Sequence, residues 1–240
     1  MRYWIVNCAL LVFTAVSALA CGAARADDWP QWLGPQRDSV WRETGLIREI
    51  PAEGLRVKWR APLALGYSGP AVVGDNVYVM DYVLTSGEVK NNAGGRDHLE
   101  GTERILCLSA ADGSEKWTHE YDRPYSVSYG GGPRCTPTVA DGMVFALGAE
   151  GDLTCLDAES GEKIWHKNLM EEYGAETPQW GNAAHPLVVG DLIYCMVGGE
   201  GTAAVALNKN TGAEVWRALS SENAGYCPPT LIEHGGRAQL

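Results

Sequence analysis

The sequence predicts an all-β chain of repeated four-stranded antiparallel units, and three observations lead there. The first is a turn written three times: Leu108-Ser-Ala-Ala-Asp-Gly113-Ser-Glu-Lys-Trp117, Leu156-Asp-Ala-Glu-Ser-Gly161-Glu-Lys-Ile-Trp165 and Leu207-Asn-Lys-Asn-Thr-Gly212-Ala-Glu-Val-Trp216. In each copy Leu stands nine residues and Gly four residues before a Trp, a fixed spacing that marks structural repeats. The second is a segment recurring upstream of each turn: Pro70-Ala-Val-Val-Gly-Asp-Asn-Val-Tyr-Val-Met80, Pro137-Thr-Val-Ala-Asp-Gly-Met-Val-Phe-Ala-Leu147 and Pro186-Leu-Val-Val-Gly-Asp-Leu-Ile-Tyr-Cys-Met196. The third is composition: 29 glycines, 12 prolines and 9 tryptophans with almost no amphipathic helical period suit many short strands and tight turns.

Each repeat resolves into elements. In the upstream segment, Gly/Asp turns between runs of Val, Ile, Tyr and Met describe a hairpin. Its Pro opens the first strand, where a missing N–H costs least. The downstream segment is a second hairpin, with an Asp-Gly, Ser-Gly or Thr-Gly turn that tolerates positive φ and a final strand that carries Trp. The module is therefore four strands. A fourth copy begins at Tyr226-Cys-Pro-Pro229. Trp59, Trp117, Trp165 and Trp216 are spaced by 58, 48 and 51 residues, so an insertion of roughly Ser86 to Thr102 lengthens the first unit between its second and third strands, and with Asn91, Asn92, Gly94, Gly95, Asp97 and His98 it reads as a polar, flexible loop. Four-stranded units of this length, repeated radially, are the blades of a β-propeller, with the four tryptophans and Gly113, Gly161 and Gly212 as its docking residues. Val57-Lys-Trp59 reads as the outer strand of a blade whose inner strands are missing. Three full blades plus partial ones make an incomplete ring where about four to eight blades are needed, so the sequence is expected to be truncated at its C terminus.

The Ala-x-(Asp/Asn/Glu)-x-(Thr/Ser/Asp)-Gly-x-x-x-Trp ending resembles the tryptophan-docking repeat of pyrroloquinoline quinone (PQQ) propellers, found in quinoprotein alcohol dehydrogenases and in BamB-like lipoproteins of outer-membrane barrel assembly. Asp28-Trp-Pro-Gln-Trp-Leu-Gly-Pro-Gln-Arg-Asp38 resembles the lead-in of secreted bacterial PQQ-like repeat proteins. The resemblance covers nearly all of the chain after residue 26. It implies the fold and does not choose an activity, because the same blade serves enzymes and non-catalytic scaffolds.

The first 26 residues differ from the rest. Arg2 precedes an apolar run from Trp4 to Ala20, and Ala24-Arg25-Ala26 offers a small-residue cleavage site, so residues 1–26 are expected to be a secretory signal peptide. Residues 27–55 form a lead-in and residues 56–240 the propeller. The protein is expected to be exported, periplasmic or extracellular, with no transmembrane segment after cleavage. The net charge of −11 becomes −13 once Arg2 and Arg25 are removed, which argues against nucleic acid and anionic lipid as partners. The acids are spread through the turns and read as solvated strand ends.

Cys107 and Cys155 stand ten residues before a docking Trp, and Cys135 and Cys227 two before a strand-opening Pro, so repeat register explains them. Equivalent positions on neighbouring blades lie beyond disulfide reach, and small buried thiols are expected. With no Cys-x-x-Cys or paired-His spacing, no metal site is expected. The Gly130-Gly-Gly132 run reads as a flexible crossing between blades, since no helix or Lys-Ser/Thr follows it.

A ligand site belongs where the innermost strands open toward the central channel. The residues there are Tyr67, Ser68, Arg134, Trp180, Asn182, His185 and Tyr226. They point to a non-catalytic module that binds a protein or small-molecule ligand at the channel mouth, with no cofactor. The alternative that the resemblance brings is a PQQ- and Ca²⁺-dependent quinoprotein alcohol dehydrogenase. Relatives of that kind typically carry vicinal cysteines, which this sequence lacks, and no Asp or Glu here matches their Ca²⁺ and base carboxylates. No residue is assigned a catalytic role. Cleavage after Ala26 would leave Asp27 at the mature N terminus; intact mass of exported protein checks this, and retention of residues 1–26 or a lipid on Cys21 would contradict it.

Overall fold

The computed structural model describes residues 27–90 and 92–240. The expected signal peptide and Asn91 of the insertion lie outside the described residues. Blade I consists of β1 (Ala71–Val73), β2 (Asn76–Ser86), β3 (Asp97–Ser109) and β4 (Glu115–Asp122), with β5 (Tyr125–Val127) added to the far end of β3. Blade II is β6 (Thr138–Ala140), β7 (Met143–Leu147), β8 (Asp152–Asp157) and β9 (Lys163–Asn168), after which α1 (Leu169–Tyr173) makes a single helical turn. Blade III is β10 (Leu187–Val189), β11 (Leu192–Met196), β12 (Ala204–Asn208) and β13 (Glu214–Ala218), and β14 (Ile232–His234) pairs with β15 (Arg237–Gln239) as a separate hairpin.

Apart from β5, which pairs with β3, the named strands pair antiparallel with their sequence neighbours, and the registers superimpose: Ala71 faces Tyr78, Thr138 faces Phe145 and Leu187 faces Tyr194. Pro70, Pro137 and Pro186 immediately precede the first strands, as expected. The innermost strands β1, β6 and β10 touch in that order. The core lies between blades rather than within them. Tyr78, Met80 and Ile105 of blade I meet Val144, Ala146 and Leu156 of blade II, and Phe145, Leu153 and Leu169 meet Ile193, Val205 and Leu207 of blade III. The chain is an incomplete β-propeller.

One contact, made three times, locks a tryptophan ring onto the blade that follows it. The Trp59 ring covers Gly113, Trp117 covers Gly161 and Trp165 covers Gly212; a Cβ at those glycines would lie 2.6, 2.6 and 2.9 Å from the respective ring. Each indole N–H donates to the carbonyl three residues before its glycine: Trp59 to Ala110 at 3.0 Å, Trp117 to Ala158 at 3.2 Å and Trp165 to Lys209 at 2.8 Å. The glycines sit at φ +76°, +75° and +69°, where L residues are strained, so the turn needs Gly twice over. Preceding side chains hold the turn shape. The Asp157 carboxylate accepts from the Glu159 and Ser160 N–H groups, and Asn208 does the same for Asn210 and Thr211. Behind each ring a small residue separates two aromatics, Tyr78–Cys107–Trp117, Phe145–Cys155–Trp165 and Tyr194–Ala206–Trp216, next to a register shift that recurs in all three blades. Cys107 and Cys155 are thus buried spacers, and all five described thiols are free; Cys227 departs from the expectation of burial and is exposed.

Three expectations are corrected. Val57-Lys-Trp59 forms no strand among the described residues; the segment meets blade I through the Trp59 ring and Ala61 instead. The insertion is not a plain polar loop: β2 and β3 run into it, since Asp97, Leu99 and Gly101 alternate inward and β5 pairs with that stretch. The Gly130-Gly-Gly132 crossing is buried and bonded, because a Cβ at Gly132 would strike the Gly66 backbone.

The lead-in crosses the inner strands of several blades. Trp29 pairs with Val72 through two hydrogen bonds, the Pro30 carbonyl accepts from Val139, and the Arg37 guanidinium donates to the carbonyls of His185, Pro186 and Pro229.

Gly142 and Gly161 share a φ of +75°, but nothing lies within 4 Å of a Cβ at Gly142 while Trp117 fills that space at Gly161. Ala at either position meets the same backbone strain of about 1 kcal/mol. Gly161→Ala must also displace the ring, and should cost roughly 1–3 kcal/mol more than Gly142→Ala in chemical denaturation. Equal losses would mean that the ring does not dock.

Candidate functional site

Four loops, each leading into or out of a blade, bring their side chains to one place. Tyr67 precedes β1, Tyr129 and Arg134 flank the glycine crossing between β5 and β6, Trp180 and Ala183 lie between α1 and β10, and Tyr226 precedes β14. These six residues line a cleft of about 310 Å³. The four rings are 38% to 59% exposed, which for large aromatics marks a contiguous uncovered apolar surface.

Trp180 is the centre. Its ring stacks on Tyr226 at 5.0 Å and 27°, and Tyr129 meets it edge-on at 5.9 Å and 62°. Its backbone N–H donates to the Tyr226 hydroxyl, and its indole N–H reaches the Ala93 carbonyl in the insertion at 3.4 Å. Gln179 donates to the same carbonyl, and Arg96 bridges Ser126 and Thr177, so the insertion props the loop that carries Trp180. Tyr129 holds φ +63°, an unusual conformation for a bulky residue, which aims its ring at Trp180.

Arg134 forms the floor. Its guanidinium lies 5.6 Å over the Tyr67 ring and donates to the carbonyls of Trp180, Gly132, Ser128 and Gly130. All of these acceptors are neutral. Burial pulls the Arg134 pKa below its usual value, the mark of a charge with little compensation. Glu103 and Glu150, the carboxyl groups whose fields reach it, are tied to other donors: Glu150 accepts from Ser126 and Thr177.

Of the seven residues singled out from the sequence, the structure brings Tyr67, Arg134, Trp180 and Tyr226 together. Ser68 turns to the Gly69 carbonyl, outside the cleft. Asn182 is buried and donates to the Ala149 carbonyl, which fixes the loop rather than facing solvent. His185 is covered by Trp32 of the lead-in at 4.9 Å, and burial lowers its pKa to about 4. Tyr129 and Ala183 were not anticipated, although Tyr129 directly precedes the glycine crossing.

The blades, their docking rings and this cleft define a β-propeller of the PQQ-repeat class. The family model described as outer membrane protein assembly factor BamB matches residues 101–233, more than half of the chain, and the chain belongs to that PQQ_2 family. It is 26% identical over 181 residues to a quinoprotein ethanol dehydrogenase of Pseudomonas aeruginosa, covering 72% of this chain and 28% of that protein. It is 30% identical over 115 residues to outer membrane protein assembly factor BamB of Vibrio cholerae, covering 47% of this chain and 28% of that one. Among solved structures it resembles quinohemoprotein alcohol dehydrogenase from Comamonas testosteroni, with a TM-score of 0.48 and 20% identity over 82% of this chain and 28% of that chain. The chain spans about a quarter to a third of the length of the curated relatives it matches.

Beneath the cleft lies a buried ionisable cluster that the reading of acids as solvated strand ends did not anticipate. Glu103 is fully buried between blades I and II; it accepts from the Tyr121 hydroxyl at 3.0 Å and from the Ala149 N–H at 3.3 Å. Asp152, equally buried, is paired with Arg123 at 2.5 Å and with His166 at 3.1 Å. The signal was present in β3, where Glu103 continues the inward series Asp97, Leu99, Gly101 and Ile105. Burial raises the Glu103 pKa from 4.5 to about 7, with the neighbouring Asp152 charge adding to it and the hydroxyl and N–H donors opposing it.

The folded carboxyl therefore stays protonated where the unfolded one ionises. Its stability contribution is complete below about pH 4.5 and is lost as the pH rises to about 7, a difference on the order of 3 kcal/mol. His185, held neutral in the fold, gives the opposite slope between about pH 4 and 6.5. Comparing the wild type with Glu103→Gln cancels the histidine term. The variant should gain stability relative to wild type between pH 5 and 8, read from urea midpoints; a pH-independent difference would show that Glu103 is already ionised in the fold.

Proposed function

We propose that this chain is the binding part of an exported propeller, a non-catalytic module that holds a protein or small-molecule ligand in the cleft of Tyr67, Tyr129, Trp180 and Tyr226. The observation that carries this reading is the composition of the cleft. It offers four exposed rings and one cation, and no carboxylate, histidine or thiol among its lining residues could act as base or nucleophile. The family description and the Vibrio cholerae relative, both named for outer membrane protein assembly, support a binding role and an exported location. No helix among the described residues is long and apolar enough to cross a membrane.

The second reading is a quinoprotein dehydrogenase, favoured by the dehydrogenase names among the relatives. The residues of the cleft do not suit that cofactor. PQQ carries three carboxylates that need cationic or amide donors, and Ca²⁺ needs several oxygen ligands. Here four of the five Arg134 N–H donors go to backbone carbonyls, which leaves one for three carboxylates, Asn182 is turned inward, and among the described residues no group of three or more His, Cys, Asp or Glu side chains is placed to hold a metal.

The protein reconstituted with PQQ and Ca²⁺ should show no dye-linked alcohol oxidation. Oxidation above the cofactor-free rate, abolished by Trp180→Ala, would replace the binding reading with the enzyme.

A further inference from the structure

The cleft also restricts what it can hold. Its lining provides only one charged group, and Arg134 meets none but neutral acceptors, so a cationic ligand would meet like charge while an acidic one would complement it. Sugars also stack on aromatic faces, but their hydroxyls need polar partners once desolvated. The lining has no Asp, Glu, Asn or Gln, and the polar groups of Trp180 and most donors of Arg134 are spent within the protein. The hydroxyls of Tyr67 and Tyr129 have no partner among the described residues and are left to donate.

The shape adds a further restriction. Tyr129 set edge-on against Trp180 makes a concave corner, and the Trp180–Tyr226 stack makes a ridge beside it. A flat platform would suit a planar ligand; a corner and ridge suit compact saturated rings laid against aromatic walls. Proline is such a ring on a peptide. A proline-bearing segment is already extended in polyproline II form, loses little entropy on binding, and makes no internal hydrogen bonds, so its carbonyls seek donors such as the two tyrosine hydroxyls.

We propose that the cleft takes an extended, proline-bearing acidic peptide of a partner protein, its pyrrolidine rings against Tyr129, Trp180 and Tyr226 and its carboxylate at Arg134. This rests on the binding reading above and narrows it to one class of partner. The insertion then sets the specificity, because Ala93 holds the Trp180 indole N–H and Gln179 in place.

Fluorescence titration of the protein tests it with four probes: a proline-rich peptide with glutamate at every third position, a twin with alanine for each proline, a twin with lysine for each glutamate, and maltoheptaose. The acidic proline peptide should saturate, with each twin weaker by about tenfold or more and maltoheptaose inert. Trp180→Ala, an exposed position whose folding is checked by circular dichroism, should lose about tenfold, and Tyr226→Leu should lose affinity for the same peptide. Equal binding of the alanine twin, stronger binding of the lysine twin, no peptide binding at all, or saturation by maltoheptaose lost in Trp180→Ala would each overturn the peptide proposal. The last result would leave the cleft as a binding site for another class. Dye-linked oxidation, measured separately, decides the fate of the binding reading itself.

Discussion

The rest of the structure depends on an indole ring laid over a glycine of the following blade. Sheets in a propeller touch face to face with no covalent tie beyond the linker, so something must set the angle and distance between them. Trp59, Trp117 and Trp165 do this with two constraints each: a ring that fits only where no Cβ stands, and an N–H that reaches one particular carbonyl. The apolar contact supplies energy, and the hydrogen bond supplies direction. Because Trp117 and Trp165 sit on outer strands and their glycines at the turn before the next outer strand, each of these two contacts fixes the outer edges of two blades, and Trp59 fixes the lead-in to blade I in the same way. The inner strands then converge.

That convergence makes the cleft. No single blade contains it: Tyr67 belongs to the approach to blade I, Arg134 to blade II, Trp180 to blade III and Tyr226 to the hairpin beyond. Arg134 binds this arrangement by collecting carbonyls from the glycine crossing and from Trp180, a role for which a planar guanidinium with donors on several sides is suited and a lysine is not. Arg37 does the same on the lead-in side, with carbonyls from the openings of blade III and the last hairpin. Two arginines thus hold together loops that the sheets themselves leave unconnected.

Below the cleft, Glu103 joins the blade I sheet to the backbone of Ala149, whose carbonyl in turn accepts both Asn182 donors. A short path of hydrogen bonds therefore runs from a buried carboxyl to the loop that presents Trp180. Burying a carboxyl there is tolerable because two donors meet it and burial shifts it toward the neutral form, and Asp152 beside it is paired with Arg123 and His166.

The sequence by itself determined the blade: its strand order, its turns, its proline openings and its docking tryptophans with their glycines. These follow from signals a few residues apart, such as alternation, φ preference and a fixed Gly-to-Trp spacing, repeated often enough to be read without coordinates. It also placed Tyr67, Arg134, Trp180 and Tyr226 at equivalent openings. Only the tertiary structure decided which of the opening residues face one another. Asn182 and His185 stand at the same openings yet turn to Ala149 and to Trp32, because partners many residues away in the chain claim them, while Ser68 closes locally on the Gly69 carbonyl. The same holds for Tyr129, aimed by a positive φ, and for Glu103, whose inward face was legible in β3 but whose neighbours Ala149 and Asp152 come from another blade. Such pairings depend on the angle between blades, and no local pattern records that angle.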